Sequence, residues 1–356
     1  MTSKTDFFPK LDTSAVCDLM EQYISARKKL LLLCHVNPDG DTVGSAFAMQ
    51  KLYSMLGGYA RCACISDTPG YLKFLLLEQD SLIYTPNMEN DFDAIWTIDV
   101  ASPMQLGQLS FLADRVSLSI DHHENCTLFS PYYLDGKASA TGELIFHIYN
   151  EWIQRKKITS NPTICRCIYA AISADTGSFQ YSNTTPETFQ IAAILLKTIQ
   201  NDPNGEDTAS IARRLHGCRT IEEMQAQKLV IERLQLACNG KLAYTCVSAS
   251  LPEENGLSDF DFGGMVDIPR SVSGVLVGLA IKENKSNKGT FKISARSNCD
   301  IDVASILSSF GGGGHKRAAG ATITAENCRK AAEKMIAAFT PAIQSYQKEN
   351  EYETKR

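Results

Sequence analysis

Long hydrophobic runs, a dominant charge and a recognisable secretory leader are all missing from this chain of 356 residues. The longest apolar stretch, KLLLLC at 29–34, is far too short for a bilayer, which a helix crosses in about 20 residues. No membrane partner is therefore expected. The opening MTSKTDFFPK lacks the apolar core of a signal peptide, so a cytoplasmic location is expected. With 35 Lys and Arg against 40 Asp and Glu, the net charge is -5. A protein that grips long nucleic acid by neutralising phosphates would be basic, so any nucleic-acid substrate should be short and held locally. Cysteine is present twelve times but scattered, with Cys34, Cys62, Cys64 and Cys246 in apolar runs. Cys62/Cys64 and Cys165/Cys167 are separated by single residues, whereas zinc sites favour two to four, so core packing as free thiols is expected for all twelve.

What is present reads as two domains, because a chain this long exceeds the size at which one core stops growing. Residues 29–65 read strand, loop, helix, strand. KKLLLLCH suits a fully buried parallel strand, NPDGDT is a loop, and VGSAFAMQKLYSMLGG places Val43, Phe47, Leu52 and Met55 on one helix side before Gly57 and Gly58 stop it. ARCACIS returns as a strand, and DAIWTIDVAS (93–102) and RVSLSIDHH (115–123) repeat the pattern. Helices are predicted over 139–156, 163–174, 185–199 and 221–238. After Asn239 and Gly240 the pattern becomes alternating strands in KLAYTCVS, GVLVGLAIKE and TFKISARS. The expected organisation is a first domain over 15–200, a helical linker over 201–240, a second domain over 241–343 and a charged tail over 344–356 without a fold. The expected fold class is α/β in two lobes: an N-terminal open, mainly parallel sheet flanked by helices, a smaller C-terminal α/β lobe, and an active-site cleft between them.

Four stretches place acid or imidazole just beyond an apolar element: HVNPDGD (His35, Asp39, Asp41), IDVAS (Asp99), DHH (Asp121, His122, His123) and SADTGSF (Asp175). Any one alone reads more readily as a turn or cap aspartate, or as an ordinary histidine. Their recurrence at the ends of separate elements, using three of only six histidines, points to one cleft. Carboxylates about 4 Å apart repel by about 4 kcal/mol at an effective dielectric of about 20, so something cationic must sit among them. Carboxylate and imidazole without thiolate suit Mn²⁺, Fe²⁺, Co²⁺ or Mg²⁺ better than a structural zinc. Two such ions balance four aspartates, and a bound water whose pKa drops from about 15.7 to roughly 7 becomes a hydroxide that can attack phosphorus.

In the second domain FGGGGHKRAAGATI (310–323) is by default a flexible glycine loop. Ending in His315, Lys316 and Arg317, it could instead receive a phosphate on bare amides and cations.

These motifs, in this order, resemble those of the DHH phosphoesterase family, part of the RecJ-like superfamily, and the glycine run resembles the GGGH signature of its associated C-terminal domain. The resemblance spans about 15–340. It implies that His35 and Asp39 bind one metal, Asp41 and His122 the other, and that Asp99 and Asp175 are shared; Mn²⁺ is the leading ion. It further implies that His123 meets the scissile phosphate, Asp121 orients the imidazoles, and Arg296, Gly312, Gly313, Gly314, His315 and Arg317 hold the nucleotide. Arg270 is a weaker candidate, read by default as a surface arginine.

Within the family the chain is most similar to the small two-lobed oligoribonucleases (nanoRNases) with pAp phosphatase activity. The implied partners are oligoribonucleotides a few nucleotides long, pAp or dinucleotides, with a possible homodimer. Turnover of cyclic di-AMP or pApA, and a non-catalytic nucleotide-binding regulator, stand as alternatives.

Overall fold

A computed structural model describes residues 8–76, 81–202, 205, 207–257 and 263–353. The chain forms two compact units, Met1–Cys218 and Arg219–Arg356. The stretch 201–240, expected as a linker, is thus divided between them.

In the first unit the elements run α1 (Thr13–Ser25), β1 (Lys29–Leu33), α2 (Gly40–Met55), β2 (Tyr59–Ala63), β3 (Ala94–Ile98), β4 (Val116–Asp121), β5 (Tyr132–Leu134), α3 (Thr141–Gln154), α4 (Pro162–Asp175), α5 (Pro186–Gln200) and α6 (Thr208–Ala212). The five strands pair in the order β2-β1-β3-β4-β5, every pair parallel. Leu30–Leu33 and the whole of β3 are buried, as continuous apolar strands covered on both faces should be. Alternation then divides them: Leu30 and Leu32 join the core of Phe47, Trp96 and Trp152, while Leu31 and Leu33 join that of Ile95, Leu106 and Leu112. Leu33 lies opposite Thr97, and Ile98 opposite Ile120, so the carboxyl ends of β1, β3 and β4 finish level. The chain leaves β1 for β2 on one side and returns to β3 on the other. This strand order makes the β1/β3 ends a switch point where loops diverge and a site can form.

Helices α2 and α4 pack closely, with glycines of α2 against small residues and backbone of α4. Gly40 lies against Ala174, and Gly44 against Cys167 and Ala171, so the two helices run in opposite directions. A Cβ at Gly44 would stand 2.5 Å from the Cys167 carbonyl oxygen. This close crossing sets the first turn of α2 beside the last turn of α4. The helix also starts earlier than its apolar pattern indicates, because Asp39 accepts from the amides of Asp41 and Thr42 and draws Gly40–Thr42 into its first turn.

The second unit comprises α7 (Ile221–Glu232), β6 (Gln235–Ala237), β7 (Leu242–Val247), α8 (Leu251–Glu254), α9 (Asp267–Arg270), β8 (Val277–Glu283), β9 (Thr290–Ser297), α10 (Val303–Ser308), β10 (Gly313–His315), β11 (Ala318–Thr324) and α11 (Cys328–Glu353). Its mixed sheet is ordered β10-β11-β9-β8-β7-β6. Phe291, Ile293 and Ala295 of β9 face Met335, Phe339 and Ile343 of α11, whereas Val247 of β7 packs with Leu229 and Val230 of α7.

Four expectations need correction here. The helix predicted to Cys238 stops at Glu232, and Gln235–Ala237 pairs with Tyr244–Leu242 as an edge strand. The glycine run is not a free loop: Gly313–His315 is a strand paired with β11, and a Cβ at Gly314 (φ +142) would come within 2.5 Å of the Ala318 oxygen. The tail left without a fold continues α11 to Glu353, since Phe339 and Ile343 anchor the helix from which it extends. Among the cysteines, which are all free, Cys218 is exposed and Cys126, Cys238, Cys246 and Cys328 are half-buried, so packing does not account for all twelve.

Gly44→Ala should destabilise the protein by about 1–3 kcal/mol in urea unfolding followed by circular dichroism, because overpacking outweighs the roughly 1 kcal/mol gain in helix propensity. Unchanged or increased stability would show that α2 and α4 are not in close contact.

Candidate metal centre

The sequence elements that end in acid or imidazole deliver their side chains to one place. His35 follows β1, Asp39 caps α2, Asp41 lies in its first turn, Asp99 follows β3, His122 and His123 follow β4, and Asp175 ends α4. His35 Nε2 stands 3.7 Å from Asp39 Oδ1 and 3.6 Å from Asp99 Oδ2. His122 Nε2 stands 3.4 Å from Asp175 Oδ2, 3.8 Å from Asp41 Oδ2 and 3.8 Å from Asp99 Oδ1. Three overlapping sets could hold a metal ion: His35 with Asp39 and Asp99; Asp41 with His122 and Asp175; and Asp99 with His122 and His123. Asp99 offers Oδ2 to the His35 side and Oδ1 to the His122 side, the arrangement a bridging carboxylate requires. It sits at φ +61, a left-handed conformation that Asp tolerates better than most residues, and its amide donates to the Ile120 carbonyl.

Asp41, Asp99 and Asp121 are nearly inaccessible, yet among the described residues no lysine or arginine pairs with them. Buried carboxylates at this density, partnered by imidazoles and neutral donors alone, fit hard or borderline divalent cations. The protein already supplies part of the compensation. Asp41 accepts from the amides of Thr141 and Gly142 at 2.7 and 3.0 Å, at the positive end of α3, and from Ser45 Oγ at 3.0 Å. Thr141 Oγ1 donates to Asp99 Oδ1 at 3.0 Å.

His122 and His123 turn their Nδ1 atoms to different partners. His122 Nδ1 lies 3.2 Å from the Ala138 carbonyl oxygen, which leaves Nε2 toward the carboxylates. His123 Nδ1 lies 2.7 Å from Asp121 Oδ1, which also accepts both histidine amides. The Cys126 thiol donates to Asp121 Oδ2.

Charges shift these groups in opposite directions. Burial pushes Asp41 well above the usual carboxylate range, with Asp99 and Asp175 adding to it. Burial also raises Asp175, to about 6. For His35 burial disfavours the proton, but hydrogen bonds to Asp39 and Asp99 outweigh it and lift the imidazole to about 10. Asp121 lifts His123 to about 9. Asp39 and Asp121 lie below the usual range: burial would raise both, and His35 and His123 respectively more than offset it.

In the second unit Arg317 Nη2 lies 3.0 Å from Asp300 Oδ1, with Lys316 Nζ at 3.5 Å from the same oxygen. Its cations are thus shared with an acid. Arg296 lies on β9 opposite Ala318, and its Nη1 donates to the Ala295 carbonyl. His315 is exposed on β10, whose Gly313 and Gly314 pair with Gly320 and Ala319. Arg270 pairs with Asp267.

Residues 29–172 match the DHH family, N-terminal domain, and residues 239–340 match the DHHA1 domain. This chain is a DHH-family phosphoesterase. A bifunctional oligoribonuclease and PAP phosphatase, NrnA, of Thermus thermophilus is 27% identical over 312 residues, 87% of this chain and 88% of that protein. The crystal structure of an exopolyphosphatase-related protein from Bacteroides fragilis superposes with a TM-score of 0.80 at 22% identity, covering 93% of this chain and 98% of that one. RecJ of Thermus thermophilus in complex with Mn²⁺ superposes at 0.51 and 15% identity, over 94% of this chain and 54% of that one. These two likenesses show the fold, and the family models show a DHH domain followed by a DHHA1 domain. Among the described residues no helix is long and apolar enough to cross a membrane.

Sequence reasoning missed Ala138, Thr141, Gly142 and Asn183, which bond the site residues without bearing acid or imidazole. The small-residue start of α3, Ala140-Thr141-Gly142, was the available signal, since amides at a helix start favour a nearby anion.

His35 holds a proton at neutral pH, so a divalent ion that takes its Nε2 must displace that proton. Mn²⁺ affinity should therefore rise as pH increases from 6 toward 10, by up to tenfold per unit for one linked proton. Titration calorimetry at pH 7 in two buffers of different ionisation heat should show net proton release. Affinity independent of pH would contradict the assignment.

Proposed function

We propose that this DHH phosphoesterase hydrolyses short oligoribonucleotides to mononucleotides and pAp to AMP with two divalent ions, Mn²⁺ foremost. The convergence of two His/Asp sets on one shared carboxylate, Asp99, carries the reading. His35, Asp39 and Asp99 would hold one ion, and Asp41, His122, Asp175 and Asp99 the other. When bound, such ions supply Lewis acidity and a nucleophile at neutral pH.

The chain's own groups position and stabilise. Asp121 accepts a 2.7 Å hydrogen bond from His123 Nδ1–H and keeps the ring protonated, so that Nε2–H is left to donate to a phosphoryl oxygen as charge develops. His123 is partly exposed, as a group that meets substrate must be. Asp41 and Asp99 are closed off from solvent, so each hydrogen bond to them counts for more than in water.

Arg296, His315 and Arg317, with the amides of Gly312, Gly313 and Gly314, are proposed to recognise the nucleotide. A guanidinium grips phosphate bidentately where a lysine offers only a point charge. The substrate class is supported by the name of the Thermus thermophilus relative, whose similarity runs through both domains. The net charge of -5 agrees with a short anionic substrate over a long one.

The test is one hydrolysis panel with Mn²⁺: pAp, pApA, a short RNA, cyclic di-AMP and pyrophosphate. AMP from pAp and mononucleotides from short RNA are expected, with EDTA abolishing both. Asp99→Asn should reduce the rate by roughly 10³-fold, since several kcal/mol of transition-state stabilisation depend on the ions it bridges. Dominant release of orthophosphate from pyrophosphate, or binding without turnover, would overturn the reading.

A further inference from the structure

One short segment that supplies no candidate ligand touches ligands from three other elements. The Ala138 carbonyl oxygen meets His122 Nδ1, the amides of Thr141 and Gly142 donate to Asp41, and the Thr141 hydroxyl donates to Asp99 Oδ1. The segment is itself tied down. Ser139 donates through its amide and its hydroxyl to the buried Glu143, at 3.2 and 2.6 Å. Asn183 Nδ2 donates both to the Ser139 carbonyl and to that of Asp175, so the last residue of α4 hangs on the same anchor. Glu143 has no part in the chemistry above, and its burial is accounted for by this bracing.

Thr141 is the member that acts on the shared carboxylate. It is wholly buried, so its hydroxyl has no solvent alternative to Asp99. The terminal torsion of an aspartate is broad and would not by itself fix where the two oxygens point. The Thr141 bond falls on Oδ1, the oxygen on the His122 and His123 side, while Oδ2 remains toward His35.

We propose that Thr141 is a positioning residue: its hydroxyl locks the Asp99 carboxylate at the rotation in which each oxygen serves a different ion. The inference rests on the two-ion reading above. Hydrogen-bond partners of metal ligands commonly alter affinity by about 10–100-fold when removed. The effect should fall on ion binding and on the coupling between ions, not on folding.

The experiment compares wild type, Thr141→Ser, Thr141→Val and Thr141→Ala as full chains, with Mn²⁺ as the probe. Titration calorimetry gives affinity and stoichiometry, low-temperature electron paramagnetic resonance reports exchange coupling between two manganese ions, and circular dichroism follows the metal-free fold. Wild type and Thr141→Ser should bind two ions with a coupled signal. Thr141→Val and Thr141→Ala should bind at least one ion about 10–100-fold more weakly and lose the coupled signal, with the metal-free spectrum unchanged. If the valine side chain disturbs packing, the serine and alanine variants, which add no bulk, decide. Hydroxyl-free variants that bind and couple like wild type would overturn the proposal. So would a serine variant as impaired as alanine, since the methyl group would then be what matters. Wild type that binds no Mn²⁺ would instead overturn the two-ion reading and this inference with it.

Discussion

Everything in the first unit answers to the mutual repulsion of carboxylates brought together out of water. Asp41 and Asp99 are buried, Asp39 and Asp175 stand at the rim, and no lysine or arginine among the described residues offsets the buried pair. At about 4 kcal/mol for each close pair in a medium of effective dielectric about 20, such a cluster is not tolerated without compensation. Some of it is structural: the start of α3 turns two amides on Asp41, and Asp39 caps α2. The imidazoles of His35 and His123 supply more. The remainder is what divalent cations would supply, and a cluster of carboxylates and imidazoles suits hard or borderline ions.

The geometry that forces the carboxylates together is ordinary α/β architecture with two local devices. Parallel strands of matched register bring Asp99 and the Asp121–His123 turn level with His35. Gly40 and Gly44 then let α2 settle directly on α4, so that Asp41 and Asp175, at opposite chain ends of their helices, become neighbours of His122. A left-handed backbone at Asp99 turns its carboxylate out of the strand into the middle of the group. Such strain is stored where surrounding structure over-determines the residue, and here the amide bond to Ile120 and the Thr141 hydroxyl do so.

That these acids and histidines gather in one place was legible because each is carried by a strong local signal. Apolar runs such as KLLLLC and AIWTI declare buried strands, and an acid or histidine directly after one marks a carboxyl end, where open sheets place their chemistry. The supporting residues were not legible, because backbone carbonyls and amides have no sequence signature; Ala138 and Gly142 act through these alone. Asn183 looked like one polar residue among several in YSNTT. The default reading of the glycine run fails for a related reason. Flexibility is the default reading of four glycines, but here close approach to Gly320 and Ala319 across a strand pair is what excludes larger residues. Likewise a charged stretch such as QSYQKENEYE gives no apolar period of its own, and is helical because it continues a helix anchored by Phe339 and Ile343.

The central claim is that one carboxylate, Asp99, joins two ions held by side chains distant in sequence. Anomalous diffraction at the manganese absorption edge, from crystals grown with Mn²⁺, tests it directly. The account predicts two peaks about 3.5–4 Å apart, each with one Asp99 oxygen in its coordination shell. A pocket without anomalous density, or two peaks with Asp99 bound to neither or only one, would contradict it.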